Sequence, residues 1–184
     1  MAMGLIMKGL ARGRNGGVFR TKINPADMKL RLLALTFGAA ALVTAQKYDG
    51  PRPAKPDLPY LKHANNLVPT EASEAKEEKG KKDEMTYVIA GAASPARTPL
   101  ASPIFLLQTQ KLNAQTLGLY RLEVRNGRRE ITTSPKKPMQ PIRVEVARLD
   151  SSGLYKLEVV DSLEPGEYSL SPEGSNQVFC FQVY

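Results

Sequence analysis

Apolar and charged residues alternate with a period of two through the C-terminal half of the chain. The stretches 120–124, 142–146 and 155–159 each place apolar side chains on one face and charged side chains on the other. This alternation is typical of half-buried antiparallel strands. Five further stretches have strand composition: 86–90, 104–107, 128–133, 167–170 and 178–183.

Residues that favour turns separate these predicted strands. Asn126-Gly127 suits a two-residue hairpin, residues 150–153 a longer one, and Pro165-Gly166 a corner. Short strands without a helical period predict an all-β domain at 85–184, which we interpret as a small immunoglobulin-like antiparallel β-sandwich, with a small β-barrel as the alternative. The stretch 163–170 resembles a turn-plus-strand found near the ends of many exported immunoglobulin-like domains, and that resemblance indicates no particular function.

The hairpin at Asn126-Gly127 also fixes which side chains face each other. The expected cross-strand pairs are Arg125 with Arg128, Val124 with Arg129, Glu123 with Glu130, and Leu122 with Ile131. We expect the tip to carry Arg125, Arg128 and Arg129 together. Such a tip is either a solubilising surface or a contact point for an anionic envelope polymer or an acidic protein.

Residues 28–45 have the pattern of a secretory signal peptide. Lys29 and Arg31 precede an uncharged run at 32–46, and the small residues up to Ala45 predict cleavage after Ala45. The run is shorter than the roughly 20 residues that cross a bilayer, so an uncleaved anchor is the less favoured alternative. Residues 1–27 precede the basic region, and we expect them to be an extension from a start assigned too early, with Met28 as the first residue.

Residues 46–84 are predicted to be a spacer between the signal peptide and the domain. Five prolines favour an extended first half, and the charged run 71–84 lacks an apolar face and is expected to be disordered or a frayed helix. A short apolar patch around 58–68 is expected to dock as a turn of helix, either on the domain or on a partner.

Composition narrows the function classes. The formal net charge is +8, but residues 1–45 hold seven Lys and Arg against one acid, Asp27, so the charge does not predict nucleic-acid binding. The single cysteine, Cys180, excludes an internal disulfide, and the single histidine, His63, excludes a multi-histidine metal site. We expect His63 to be solvated, and we predict no catalytic residue, metal ligand or cofactor.

The sequence therefore predicts an exported, periplasmic or extracellular protein without enzymatic activity. Its β-domain is expected to bind a protein or polymer in the cell envelope or outside the cell, with no membrane span left after signal cleavage. Two alternatives stay open: an accessory subunit whose spacer folds on a partner in an envelope complex, and an enzyme of unrecognised type.

Overall fold

The structure is a computed structural model that describes residues 48–81 and 83–184. The predicted extension at 1–27 and the predicted signal peptide at 28–45 lie outside these residues. The described part forms thirteen strands and one 3-10 turn. In chain order they are β1 (Tyr60–His63), β2 (Asn66–Pro69), β3 (Glu71–Glu74), β4 (Lys76–Lys79), β5 (Met85–Ile89), β6 (Arg97–Thr98), β7 (Ile104–Gln108), the 3-10 turn (Ala114–Thr116), β8 (Leu117–Arg125), β9 (Arg128–Thr133), β10 (Val144–Arg148), β11 (Leu154–Val159), β12 (Gly166–Pro172) and β13 (Gln177–Val183).

The strands form two sheets. The smaller sheet has the antiparallel order β10-β11-β7-β1-β2. The larger sheet has the antiparallel order β3-β13-β12-β8-β9-β5-β4, and the short strand β6 adds to β13 in parallel. The larger sheet is strongly curled into a half-barrel. Its two outermost strands, β3 and β4, are separated along the chain by Ala75 alone, so one segment serves both edges.

Strand β8 divides its pairing between two neighbours. Its residues 117–122 pair with β12, whereas residues 123–125 pair with β9. Ile131 and Thr133 of β9 pair with β5 and have no partner in the register between β8 and β9. From Leu122 towards the N-terminal end of β8, strands β8 and β9 therefore separate, which opens the half-barrel on this side.

Alternation along β13 sends side chains into two separate cores. Phe179 and Phe181 enter the larger core between the two sheets, where Phe105 from β7 meets Phe181 edge-on with ring centroids 5.0 Å apart. Val178 and Cys180 point to the opposite face and pack in a second core inside the half-barrel. Both faces of β13 are thus buried, which explains its nearly continuous apolar sequence.

The structure confirms an all-β fold, and a strand overlaps each of the eight stretches predicted from alternation or composition, although the strand predicted at 142–146 is Val144–Arg148. The hairpin register is confirmed for the three expected pairs nearest the turn. The fourth expected pair, Leu122 with Ile131, is wrong, because β8 and β9 separate at Leu122 and Ile131 pairs only with Tyr87 of β5. Asn126 and Gly127 both have positive φ, at 50° and 73°, as the predicted tight turn requires. In the described part of the chain, no helix has the length and apolar character needed to cross a membrane.

The predicted spacer is corrected over residues 60–79, which form β1 to β4 and belong to both sheets. The apolar patch docks on its own domain as a hairpin rather than as a turn of helix, with Leu61 fully buried beside Phe105 of β7. The charged run forms strands because β13 and β5 supply backbone partners, while the side chains of β4 stay in water. Charged residues are common on such edge strands.

A chain that begins at Met85 should therefore not fold. It lacks the strands that cover β7 and β13 and loses the buried side chains of Leu61 and Ala75. Circular dichroism and thermal unfolding will check this, with a chain that begins at Tyr48 as the control. A cooperative transition in the shorter chain would contradict the assignment of residues 60–79 to the domain.

Candidate functional site

A cavity of about 840 Å³ lies inside the half-barrel, on the side where β8 and β9 splay apart. Its apolar wall comes mainly from the second core, whose strands turn alternate residues inward. The residues of this wall include Ala75, Tyr87, Ile89, Leu122, Ile131 and Val178. Val144, Val146, Met139 and Ile142, from the segment that follows β9, also line it.

Strands β12 and β8 provide a polar strip along the cavity. Ser169 lies opposite Tyr120 in the register, and Ser171 lies opposite Gly118, so all four positions share the inner face. The Tyr120 ring covers Gly118 so closely that a Cβ at position 118 would come within 2.7 Å of the ring. Glycine at this position therefore lets the Tyr120 ring lie flat along the strip.

The serine hydroxyls of this strip have few hydrogen-bond partners within the protein. Ser169 is only 2% exposed, and its sole described hydrogen-bond partner is the Ser171 hydroxyl at 3.4 Å. That separation is long for a hydrogen bond between hydroxyls, which usually lie about 2.7–2.8 Å apart. Each hydroxyl thus keeps capacity to accept another hydrogen bond from a molecule in the cavity.

The charged side chains that line the cavity are mostly acidic. Glu77 lies on β4 and Glu173 follows β12, and neither has an ion-pair partner within 4 Å among the described residues. Arg143 also lines the cavity, but its guanidinium lies 3.3 Å from the carboxylate of Glu145. Burial, and then the charge of Glu173, raise the pKa of Tyr120, so this phenol stays neutral at physiological pH.

A buried ion pair joins β9 to β3 on the same inner face. The Arg129 side chain is fully buried and donates to both carboxylate oxygens of Glu71, at 2.6 and 2.9 Å. It also donates to the carbonyl oxygens of Ala90 and Gly91, at 2.7 and 3.0 Å. The guanidinium is therefore held by one charged and two backbone partners, as a buried arginine requires.

A second carboxylate, that of Glu167, lies 3.8 Å from Arg129 and is only 3% exposed. One of its oxygens accepts a hydrogen bond from the backbone N–H of Ser94 at 3.0 Å, and the other has no partner among the described atoms. Burial raises the pKa of Glu167. For Glu71, burial acts in the same direction but is outweighed by the hydrogen bonds and charge of Arg129, so its pKa is lowered.

The expected cluster of three arginines at the hairpin tip is corrected, because Arg129 is buried inside the half-barrel. Arg128 and Arg129 are adjacent on a strand, so their side chains leave on opposite faces. Arg125 and Arg128 do lie at the tip, where their ion-pair partners are Glu78, Glu123 and Glu130. Three carboxylates thus offset two guanidinium groups. Binding of an anionic polymer or acidic protein at this tip stays a prediction, and the charge balance argues against it.

Two further residues of the sequence analysis have defined surroundings. Cys180 is fully buried in the second core, and burial raises the pKa of its thiol to about 12. His63 was expected to be solvated, but it is half-buried and its Nε2 lies 3.0 Å from the Thr98 hydroxyl. Neither side chain lines the cavity.

The sequence reasoning missed the cavity because its walls come from strands that are distant along the chain. Ser169 and Ser171 alternate with the buried Tyr168 and Leu170, which marks them only as one face of a strand. The signal that was available is the pair of small polar residues, Ser169 and Ser171, on the cavity-facing side of β12. Ser171 lies opposite Gly118 on β8.

Comparison with known proteins gives no relative, since no family model, curated protein or solved structure matches the chain.

Neutralising each of the two carboxylates beside Arg129 should have a different effect on the free energy of unfolding. At pH 7, Glu71→Gln should lower the free energy of unfolding by about 2–4 kcal/mol, because it leaves a buried guanidinium without its counter-charge. Glu167→Gln should change it by less than about 1 kcal/mol or raise it, since burial already disfavours the charged form of this carboxyl. Urea denaturation checks both variants.

The pH dependence of the stability follows from the directions of the two pKa shifts. The lowered pKa of Glu71 gives stability that is lost as the pH falls through the folded-state pKa. The raised pKa of Glu167 gives stability that is present below the ordinary glutamate pKa and is lost as the pH rises through the folded-state pKa. Glu167→Gln should therefore become more stable relative to the unmodified protein as the pH rises above the ordinary glutamate pKa. An equal loss in both variants at pH 7 would refute this assignment of charges.

Proposed function

We propose that this protein is an exported, non-catalytic binding module that holds a small, largely apolar ligand in the cavity of the half-barrel. The observation that carries the proposal is the cavity itself, at about 840 Å³. Ligand pockets commonly measure about 300–1,000 Å³ and combine apolar walls with a few polar groups. Leu122, Ile131 and Val178 supply such a wall, and Ser169, Ser171 and Tyr120 supply the polar groups.

The fold gives this cavity a rigid frame. Most of the apolar wall belongs to hydrogen-bonded strands, and the Arg129–Glu71 pair holds β9 against β3 on the same inner face. Sites built on sheet strands keep their geometry better than sites on loops. A preformed cavity of this kind binds a ligand without first having to order its own walls.

Absence of catalysis is part of the same proposal. Covalent catalysis by cysteine needs an accessible thiolate, and the buried Cys180, with its pKa of about 12, favours the inert thiol. The imidazole of His63 contacts Thr98 on β6 and does not line the cavity. The serines of the polar strip therefore have no histidine positioned to activate them.

We also propose that the two-layered part of the molecule is an immunoglobulin-like sandwich, to which β9, β5 and β4 are added as the curled extension. Two antiparallel layers support this proposal, because the smaller sheet packs on β13, β12 and β8. Residues of both layers alternate into one core, including Phe105, Leu157, Leu170 and Phe181.

Export is proposed from the basic residues, the apolar run and the small residues that end at Ala45. The mature protein should therefore begin at Gln46, just before the described domain. N-terminal sequencing of the protein recovered outside the producing cell, or from its periplasm, checks this. A mature chain that still carries residues 32–43 would contradict cleavage.

Binding in the cavity can be tested with the neutral fluorescent probe N-phenyl-1-naphthylamine. We expect saturable binding with one site per chain. Ile131→Trp, which places a larger ring on the cavity wall, should weaken binding at least about tenfold, because the added volume competes with the probe.

Leu100→Trp is the matched control, because Leu100 is 44% exposed and does not line the cavity. It should leave the affinity for the probe within about twofold of the unmodified protein. Thermal unfolding of both variants shows that they are folded. A probe that does not bind, or that binds both variants equally, would overturn the proposed site.

A further inference from the structure

We infer that the ligand is an amphipathic amine, with its apolar body against the Leu122–Ile131 wall and its protonated amine group at the polar strip and the carboxylates of Glu77 and Glu173. This inference rests on the proposed function and names the chemical class that the cavity selects. Three independent features of the lining carry it: unfilled hydroxyl acceptors, an excess of carboxylates, and aromatic rings next to those carboxylates.

The serine hydroxyls of the polar strip follow one another along β12. Ser169 is almost fully buried and is linked to Ser171 by a contact of 3.4 Å, which leaves its hydroxyl oxygen able to accept a stronger hydrogen bond. Buried polar groups in proteins normally have such a partner. Each serine hydroxyl has two acceptor lone pairs and one O–H donor, so it can accept from an ammonium group, which carries up to three N–H donors. The hydroxyls therefore accommodate an ammonium group, and the carboxylates decide the sign of the charge.

The carboxylates set the sign of the ligand charge. Within the described residues, Glu77 and Glu173 are the lining carboxylates without an ion partner, and the one lining guanidinium, that of Arg143, forms an exposed ion pair with Glu145. The lining therefore carries an excess of negative charge. A cavity lined by one sign of charge attracts ligands of the opposite sign and disfavours those of the same sign.

Aromatic rings lie beside both carboxylates. Tyr87 lies directly opposite Glu77 in the pairing of β4 with β5, and the charge of Glu173 acts on Tyr120. Tyrosine ring faces attract ammonium groups, and the interaction strengthens when water is excluded. A carboxylate next to such a ring offers a cation both a counter-charge and a partly dry face. An anionic or neutral head group gains neither.

The test uses three probes that share a ten-carbon chain and differ in the head group: decylammonium, decanol and decanoate. Each is titrated below its aggregation concentration against the protein loaded with N-phenyl-1-naphthylamine, and the displacement gives its dissociation constant. We expect decylammonium to bind about tenfold more tightly than decanol, from the combined ion and ring contacts, and decanoate to bind most weakly.

Three variants locate the head group. Glu77→Gln and Glu173→Gln should each weaken decylammonium about three- to fivefold, the range of a partly exposed ion pair, and leave decanol within about twofold. Ser171→Ala should also weaken decylammonium selectively. Glu123→Gln is the matched control, because Glu123 lies on the outer face of the same sheet, paired with Arg125, and should change neither affinity.

The outcomes separate the two proposals. Failure of all three probes to displace the dye, or absence of dye binding, would overturn the proposed function. Displacement by decanol and decylammonium with equal affinity, or tighter binding of decanoate, would overturn the amine assignment and leave the cavity function standing. Equal effects of Glu77→Gln, Glu173→Gln and Glu123→Gln on decylammonium would also overturn it, since the head group would then lie elsewhere.

Discussion

The buried ion pair between Arg129 and Glu71 is the interaction on which the architecture depends. It connects the end of the β8–β9 hairpin to the segment that forms both edges of the larger sheet. A fully buried guanidinium is unfavourable unless charge and hydrogen bonds compensate it, and here one carboxylate and two carbonyl oxygens do so. Because these partners come from β3 and from the end of β5, the arginine is satisfied only when the sheet is curled.

The curl produces both the second core and the cavity. A flat sheet would expose the inner side chains of β13 and β5, including Cys180 and Ile89, which are almost fully buried here. Curling buries them against each other, but β8 and β9 pair over only three residues on each strand. The inner space is thus closed near the ion pair and open where the strands splay. The cavity is a direct consequence of that short pairing.

Local pattern was sufficient to predict eight of the thirteen described strands, because a strand with one face in a core alternates in sequence. It missed β1 and β2, which were expected as a turn of helix, and the two-residue strand β6. It was also sufficient for the hairpin at Asn126-Gly127, since only a few turn types connect two strands so tightly. It also failed for residues 71–79, which form β3 and β4. These charged strands gain their stability from backbone pairing with β13 and β5 rather than from burial of their own side chains. It failed again for Arg129, because a buried arginine has no distinctive local signal. The cavity residues come together only through long-range pairing.

The central claim is that the Arg129–Glu71 pair holds the curled part of the larger sheet closed. Hydrogen–deuterium exchange on Glu71→Gln, at a temperature where it is still folded, tests this claim most directly. The account predicts that amides of 71–79 and 85–89 lose protection, while those of 104–108 and 154–159 in the smaller sheet keep theirs. Unchanged protection in 71–79 and 85–89, or an equal loss across both sheets, would contradict it.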